Sequence, residues 1–203
     1  MVKTKIVRLG NCDLFYLDAF MGSNTTAILM HGYNWTSDVW IESETIKSLN
    51  DNGINVYAID IPGFPKSRSK FDKTDVTEED IIDILLDFAR KNINPETNLF
   101  LLGTSGSGYV ALKIAEKHSY NFKGIIAVAP VEVNKINLDR ITSRLLVIYG
   151  TEDTVIKDVY SEAGQFNGDV SIKIIKNAGH RCYIDKPMEF NHILLDFINS
   201  CVN

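Results

Sequence analysis

The sequence predicts an α/β fold built on a mostly parallel sheet, and two observations support that prediction. Short apolar segments recur along the chain, and amphipathic segments of helical period separate them. Apolar runs of this length are typical of strands that are buried on both faces. Regular alternation of such strands with helices favours three layers, in which a central sheet lies between two layers of helices.

The first element predicted from the N-terminus is an antiparallel hairpin. Polar and apolar residues alternate in Thr4–Leu9 and again in Asp13–Asp18, and Gly10 and Asn11 lie between the two segments. Such a dipeptide between alternating segments is typical of a β-hairpin. We therefore expect one antiparallel edge on an otherwise parallel sheet.

The remaining elements alternate in type. The predicted buried strands are Ala27–Met30, Ile54–Ile59, Leu99–Leu102, Ile125–Ala129, Leu145–Tyr149 and Val170–Ile175. The predicted helices are Ser37–Asn50, Glu78–Lys91, Gly106–Lys117 and Met188–Ser200, with a weaker helical pattern over residues 155–164. Thr77 precedes the second helix as a candidate N-cap, and Pro187 stands at the first turn of the last.

Length and composition exclude several classes of protein. The 203 residues favour a single domain, 1–203, and the net charge of −5 gives no global attraction for nucleic acid or anionic membrane. No apolar run has the roughly 20 residues that span a bilayer, and the first residues lack the plan of a signal peptide. Cys12, Cys182 and Cys201 show no CxxC spacing. We therefore expect a cytoplasmic protein without disulfides, metal or cofactor.

A candidate nucleophile lies in the segment Gly103-Thr-Ser-Gly-Ser-Gly108. A buried strand runs directly into a helix there, and such a turn can expose the hydroxyl of Ser105 at the helix N-terminus. The usual pattern has glycine where this chain has Ser107. Ser107 is a second candidate, but Tyr109 would then occupy the position two residues later, where a bulky ring should clash. A glycine-rich turn or a simple anion site is the alternative interpretation.

Two later strands also end in loops with candidate catalytic residues. Asp153 follows the strand Leu145–Tyr149, and His180 follows Val170–Ile175 in a loop of small residues. The other histidines fit less well. His31 directly follows a strand, His118 ends a charged helix, and His192 lies within the last helix. Because the carboxyl ends of parallel strands meet at one sheet edge, Ser105, Asp153 and His180 are predicted to converge.

The segment after Met30 indicates an oxyanion site. His31 and Gly32 follow a predicted strand, and a backbone N–H just beyond the glycine can face the reacting carbonyl. We assign that donor to Tyr33 and the second donor to Gly106, at the start of the helix after Ser105. His31 then shapes the loop. Asp60, in a tight Asp/Pro/Gly loop, is interpreted as structural.

These motifs together resemble the α/β-hydrolase superfamily over nearly the whole chain. They are the HGY loop, the D-x-P-G-x-x-x-S loop, the G-T-S-G-S-G elbow, the Y-G-x-x-D loop and the A-G-H-x-x-x-x-x-x-P ending. More narrowly, Ala129-Pro130, Asn134–Asn137 and Gly179–Pro187 are similar to the small CIB-like hydrolases. The resemblance implies a three-layer α/β-hydrolase fold without a cap domain and a serine hydrolase that acts on acyl groups of small molecules.

Several alternatives remain open at this level. Glu132 follows the preceding strand and is a second candidate for the acidic residue, while Cys182 either lines the site or fills the core. The acyl group could pass to water or to another acceptor such as a thiol, and a binding protein could keep the fold without catalysis. Because so short a chain leaves no room for a lid, we expect an open site, with Phe64, Trp35 and Tyr33 as possible walls.

Overall fold

A computed structural model describes residues 1–69, 76–118, 121–156, 158–166 and 170–202. The strands in these ranges are β1 (Lys3–Leu9), β2 (Cys12–Ala19), β3 (Thr25–Met30), β4 (Asn55–Ile59), β5 (Arg68–Ser69), β6 (Asn98–Thr104), β7 (Gly124–Val128), β8 (Arg144–Gly150) and β9 (Val170–Ile175). The helices are α1 (Val39–Glu42), α2 (Thr45–Asp51), α3 (Glu78–Asn92), α4 (Gly106–His118), α5 (Val159–Ala163), α6 (Cys182–Asp185) and α7 (Pro187–Val202).

The strands form one twisted sheet in the order β1-β2-β4-β3-β6-β7-β8-β9, and the short β5 pairs with β2. The strands β4, β3 and β6 to β9 pair in parallel, whereas β1 and β2 form the predicted antiparallel hairpin, in which Leu9 faces Cys12. The strand order reverses between β3 and β6. Ligand sites of open parallel sheets lie at such reversals, beyond the carboxyl ends of the strands.

Each face of the sheet carries its own apolar core. Successive residues of β6 point to opposite faces, so that Leu99 and Leu101 join one cluster with α3 and α4, and Phe100 and Leu102 join the other with α1, α2, α6 and α7. This arrangement confirms the predicted three-layer fold. The segment between β7 and β8 consists of two 3-10 turns, at Val133–Lys135 and Leu138–Arg140, and no cap domain is inserted there.

The prediction of one continuous helix between β3 and β4 is wrong. The segment predicted as a single helix over Ser37–Asn50 is divided into α1 and α2, because Glu44 adopts the left-handed conformation with φ of 55°. The side chain of Asn191, from α7, stabilises this break: its amide donates to the carbonyl of Ser43 at 3.0 Å, and its oxygen accepts from Thr45 Oγ1 at 2.9 Å. A tertiary contact with α7 thus overrides the local helical pattern.

The other long helices follow their predicted signals. Thr77 accepts a hydrogen bond from the backbone of Asp80, whose carboxylate accepts from the backbone of Thr77, and this reciprocal pair forms a capping box at the start of α3. Helix α7 begins at Pro187. Within the described ranges, no helix combines the length and the apolar character that crossing a bilayer requires.

Candidate active site

The turn between β6 and α4 presents the side chain of Ser105. Ser105 has a φ of 57°, in the left-handed region that a non-glycine residue rarely occupies. A Cβ atom on Gly103 would lie 2.0 Å from the carbonyl oxygen of Ser107, so only glycine fits two residues before Ser105. A strained conformation held by such tight packing is typical of a functional position.

Ser107, the departure from the usual glycine pattern, is buried beneath this turn. Its hydroxyl accepts the N–H of Thr104 at 2.8 Å and lies 3.0 Å from the carbonyl oxygen of Thr104 and 3.2 Å from that of Met30. With no solvent exposure, Ser107 holds the elbow against the end of β3. A second glycine is still needed, but it stands one residue later. The backbone of α4 approaches Pro130 closely at Gly108, where an added Cβ would lie 3.2 Å from Pro130 Cα.

His180 joins Ser105 to Asp153 in one hydrogen-bonded chain. Nε2 of His180 lies 2.9 Å from Ser105 Oγ, and Nδ1 lies 2.8 Å from Asp153 Oδ2. The side chain of Asp153 is fully buried, while that of His180 is 19% exposed. With the proton on Nδ1, the imidazole donates to the carboxylate and can accept the hydroxyl proton of Ser105.

Backbone contacts hold the Asp153 and His180 loops together. The N–H of Glu152 donates to Ala178 O at 2.8 Å, and the N–H of Asn177 donates to Thr151 Oγ1 at 3.0 Å. Within the His180 loop, the N–H of Gly179 donates to Asp185 Oδ2 at 2.8 Å. A Cβ on Gly150 would lie 2.2 Å from Ala178 O, so the end of β8 and the loop after β9 are in direct contact. The distance between Asp153 and His180 therefore depends on this packing.

Asp153 has an environment that favours its ionised form. Burial alone would raise the pKa of its carboxyl group, but hydrogen bonds from His180 and from the backbone of Ile156 and Val155 outweigh burial and hold that pKa below its ordinary value. The two backbone donors reach Oδ1 at 2.9 Å and 2.8 Å. Oδ2 is thereby left facing the imidazole.

Glu132, the second candidate for the acidic residue, has a lysine as its partner. It is exposed, and its carboxylate pairs with Lys135 at 2.5 Å. The carboxylate that contacts His180 is that of Asp153. Both residues follow neighbouring strands, and in the sequence the Gly-x-x-Asp turn favours Asp153 over Glu132.

His31 and Asp60 lie buried beneath the site. The N–H of Ile61 donates to His31 Nε2 at 3.0 Å, and Nδ1 lies 2.8 Å from Gly32 O, which is the bonding pattern of a neutral imidazole. Asp60 Oδ1 accepts the N–H of Ser37 at 2.7 Å. Both residues fix the loop that carries Tyr33, as their structural interpretation predicts.

The two predicted oxyanion residues are in contact. A Cβ on Gly106 would lie 2.8 Å from the ring of Tyr33, so the aromatic ring covers the first turn of α4. Burial raises the pKa of the Tyr33 hydroxyl, and the carboxylates of Glu78 and Glu132 add to that effect. Phe64 packs beside Tyr33, with 5.4 Å between ring centroids.

A contact between Arg181 and Trp35 lies beside the site, and the sequence patterns gave Arg181 no role. The guanidinium of Arg181 stacks over the ring of Trp35 at 4.2 Å from its centroid. Arg181 directly follows His180 in sequence, which is the only local signal of its position. Trp35, predicted as a wall, is 39% exposed.

Cys182 belongs to the core, which decides between its two interpretations. Its side chain has no exposure, and burial together with Asp153 and Asp185 raises the pKa of the thiol to about 12. A thiol in this state is a poor nucleophile. In the described part of the chain, no group of three His, Cys, Asp or Glu side chains is placed to hold a metal ion.

Comparison with protein families gives one matching model, the family described as serine aminopeptidase, S33, over residues 23–138. This match spans more than half of the chain and includes Tyr33 and Ser105, but it ends before Asp153 and His180.

Curated relatives extend the similarity to most of the chain. Protein ABHD14A of Danio rerio is 32% identical over 178 residues, covering 85% of this chain and 64% of the relative. The chain thus spans less than two thirds of that relative's length. The human protein named "Putative protein-lysine deacylase ABHD14B" is 27% identical over 200 residues, covering 92% of this chain and 90% of the relative.

Among solved structures, the chain is similar to one described as a predicted CIB-like hydrolase from Thermoplasma acidophilum. The TM-score is 0.88 at 26% identity, and the alignment covers 98% of this chain and 99% of the other. A naproxen esterase from Bacillus subtilis matches with a TM-score of 0.83 at 18% identity, covering 98% and 92% of the two chains, and shows a shared fold.

Proposed function

Since this chain belongs to the serine aminopeptidase S33 family of α/β-hydrolases, we propose that it is a serine hydrolase that cleaves small acyl esters through an acyl-enzyme intermediate. The observation that carries the proposal is the hydrogen-bonded chain from Ser105 through His180 to Asp153. Ser105 is the nucleophile, His180 the general base and Asp153 the group that orients the imidazole.

Acylation begins with proton transfer from Ser105 to His180. The 2.9 Å between Ser105 Oγ and Nε2 is within the range for direct transfer, while Oγ attacks the acyl carbon. Asp153 stays ionised because its pKa is lowered, and it stabilises the imidazolium that forms. The imidazolium then gives its proton to the departing alcohol.

Negative charge on the carbonyl oxygen is received by the backbone N–H groups of Tyr33 and Gly106. The contact between the Tyr33 ring and the first turn of α4 supports this assignment, since it brings the two backbone segments side by side. The positive end of the α4 dipole adds to the stabilisation. Water activated by His180 then attacks the acyl carbon and releases the acid and free Ser105.

Labelling with a fluorophosphonate tests the proposal together with turnover of 4-nitrophenyl acetate. We expect the wild-type protein to be labelled and active, and Ser105→Ala to lose both properties. Ser107→Ala serves as the control because it removes the neighbouring hydroxyl and should still be labelled. A wild-type protein that is neither labelled nor active would instead be a binding protein with a hydrolase fold.

Acyl transfer from lysine amides is a second candidate function. The observation that favours it is the name of the ABHD14B relatives, which describes a protein-lysine deacylase. Acetyl-lysine peptides should then be cleaved by the wild-type protein but not by Ser105→Ala, and an added thiol should accelerate turnover if it accepts the acyl group. Peptide cleavage that persists in Ser105→Ala would contradict this function.

A further inference from the structure

Arg181 is fixed at the edge of the site by both its backbone and its side chain. Its carbonyl accepts the N–H groups of Ile184 at 2.8 Å and Asp185 at 3.0 Å, so the residue begins the turn of α6 directly after His180. Its guanidinium is held against Trp35. The backbone of Trp35 is held in turn by a 3.0 Å bond from its N–H to Gly32 O.

Trp35 lies close to the nucleophile as well as to Arg181. A Cβ placed on Gly32 would lie 3.7 Å from Ser105 Cβ and 3.8 Å from Trp35 Cδ1. The indole edge and the nucleophile therefore flank the same glycine. A group of a few atoms bound at Ser105 therefore reaches the indole, against which the guanidinium of Arg181 lies.

The guanidinium keeps its hydrogen-bond donors while it is stacked. The five N–H groups of arginine lie in the guanidinium plane, and a guanidinium that contacts an indole through its face can still hold a carboxylate or phosphate at its edge. Among the described side chains, no carboxylate forms an ion pair with Arg181. The nearby carboxylates have other partners: Asp153 contacts His180, and Asp185 accepts the N–H of Gly179.

Charge is distributed unevenly around the site. The carboxylates of Glu78 and Glu132 act on the hydroxyl of Tyr33, and Glu78 also contributes to raising the pKa of Tyr109 to about 12, after the larger effect of burial. The rim beside Trp35 carries the positive charge of Arg181. An anionic group on a substrate is therefore attracted to the guanidinium on the Trp35 side.

The geometry points to Arg181 as a specificity-determining residue that binds an anionic group, carboxylate or phosphate, on the acyl compound attacked by Ser105. This inference rests on the proposed function, to which it adds a substrate class. The anion lies either on the acyl chain or on the leaving group, and both positions bring the same chemistry to the guanidinium edge.

Two pairs of esters separate these positions. The acyl pair is mono-4-nitrophenyl adipate and 4-nitrophenyl hexanoate, and the leaving-group pair is 4-acetoxybenzoate and its methyl ester. In at least one pair, Arg181→Met should lower kcat/KM for the anionic ester by about 10- to 100-fold, the range for a charged hydrogen bond. The neutral ester of that pair should change by less than about twofold, because it makes no such bond.

Arg90→Met is the matched control, since it removes the same charge from the end of α3, near the amino end of β6 and away from the carboxyl ends that carry the site. It should leave both ratios of anionic to neutral ester unchanged. Trp35→Leu should lower the anionic preference too, because the guanidinium loses its aromatic support. Equal effects of Arg181→Met on the anionic and neutral esters of both pairs would overturn the inference.

Binding of the products decides the matter if no ester is hydrolysed. Calorimetry with adipate, hexanoate, 4-hydroxybenzoate and its methyl ester reports anion recognition without turnover. Adipate carries one carboxylate more than hexanoate, and 4-hydroxybenzoate carries one more than its methyl ester. At least one of adipate and 4-hydroxybenzoate should bind the wild-type protein and bind Arg181→Met at least about tenfold more weakly, while its partner with one carboxylate fewer is unaffected. If neither compound loses affinity in Arg181→Met, the inference about Arg181 fails, even where hydrolysis of esters is established. If the wild-type protein binds such a compound through Arg181 but hydrolyses no ester, the hydrolase proposal alone is refuted.

Discussion

Asp153 and Glu132 both follow neighbouring strands, yet their surroundings give them different chemistry. The carboxylate of Asp153 is buried against His180, and that of Glu132 is exposed and paired with Lys135. We expect Asp153→Asn to lower kcat by about 10⁴-fold, because the imidazole loses the group that sets its tautomer. Steady-state hydrolysis of 4-nitrophenyl acetate measures this loss.

Glu132→Gln is the control for Asp153→Asn, because it makes the same isosteric change outside the hydrogen-bonded chain. It should keep kcat within about twofold, since an exposed pair contributes little. The opposite ranking of the two variants would assign the acidic role to Glu132 and contradict the proposed mechanism.

Ser107 illustrates how a departure from a motif can be compensated by a new bond. Its hydroxyl accepts the N–H of Thr104, which is buried, and Ser107→Ala leaves that donor without its partner. We expect the free energy of unfolding to fall by about 1–3 kcal/mol. Urea denaturation measures the difference, and an unchanged midpoint would show that the hydroxyl has no structural role.

The sequence predicts a residue of the candidate site only where that residue follows a strand. Ser105, Asp153 and His180 each follow a strand, so their convergence follows from parallel strand direction. The pairing of Arg181 with Trp35 joins residues 146 positions apart in sequence, and no local pattern encodes it. Contacts of this kind arise from tertiary packing.

At the scale of elements, periodicity predicted the existence of the strands and long helices but not every interruption. Helix α3 carries its own capping signals, and the structure places it within one residue of the prediction. The break between α1 and α2 depends on Asn191, which lies far away in the sequence. The four-residue helix α6 was not predicted, since a single turn has no measurable period.

The end of β8 packs against the loop after β9 so closely that only glycine fits at position 150. Gly150 lies where any side chain would collide with the backbone of Ala178 and Gly179, at 2.2 Å and 2.4 Å. Gly150→Ala must therefore push the loop of His180 away from Asp153. We expect a loss of about 1–3 kcal/mol in stability from overpacking, together with a fall in kcat.

Thermal unfolding and ester hydrolysis measured on the same sample test the Gly150 prediction. Gly164→Ala provides the comparison. Its added Cβ would lie 3.3 Å from the nearest atom, the carbonyl oxygen of Tyr160, and would not touch the loop of His180. Full activity in Gly150→Ala would mean that the position of His180 does not depend on this packing.

At the scale of the whole molecule, the sheet brings the end of β3 beside the end of β6, where the strand order reverses. The oxyanion loop and the elbow are thus neighbours because of topology and not because of sequence distance. The segment between β7 and β8 adds only two short turns, and the described residues include no cap over this edge. Tyr33 and Trp35 remain 40% and 39% exposed as a result.

An uncovered site should respond weakly to the length of the acyl chain. An apolar channel would bury each added methylene for about 0.8 kcal/mol, or roughly fourfold in kcat/KM. Without such a channel, we expect kcat/KM for 4-nitrophenyl esters to change by less than about threefold in total between butanoate and octanoate. Ser105→Ala corrects for background hydrolysis. A steady fourfold rise with each methylene would contradict the open site and would require an apolar surface that closes over the chain.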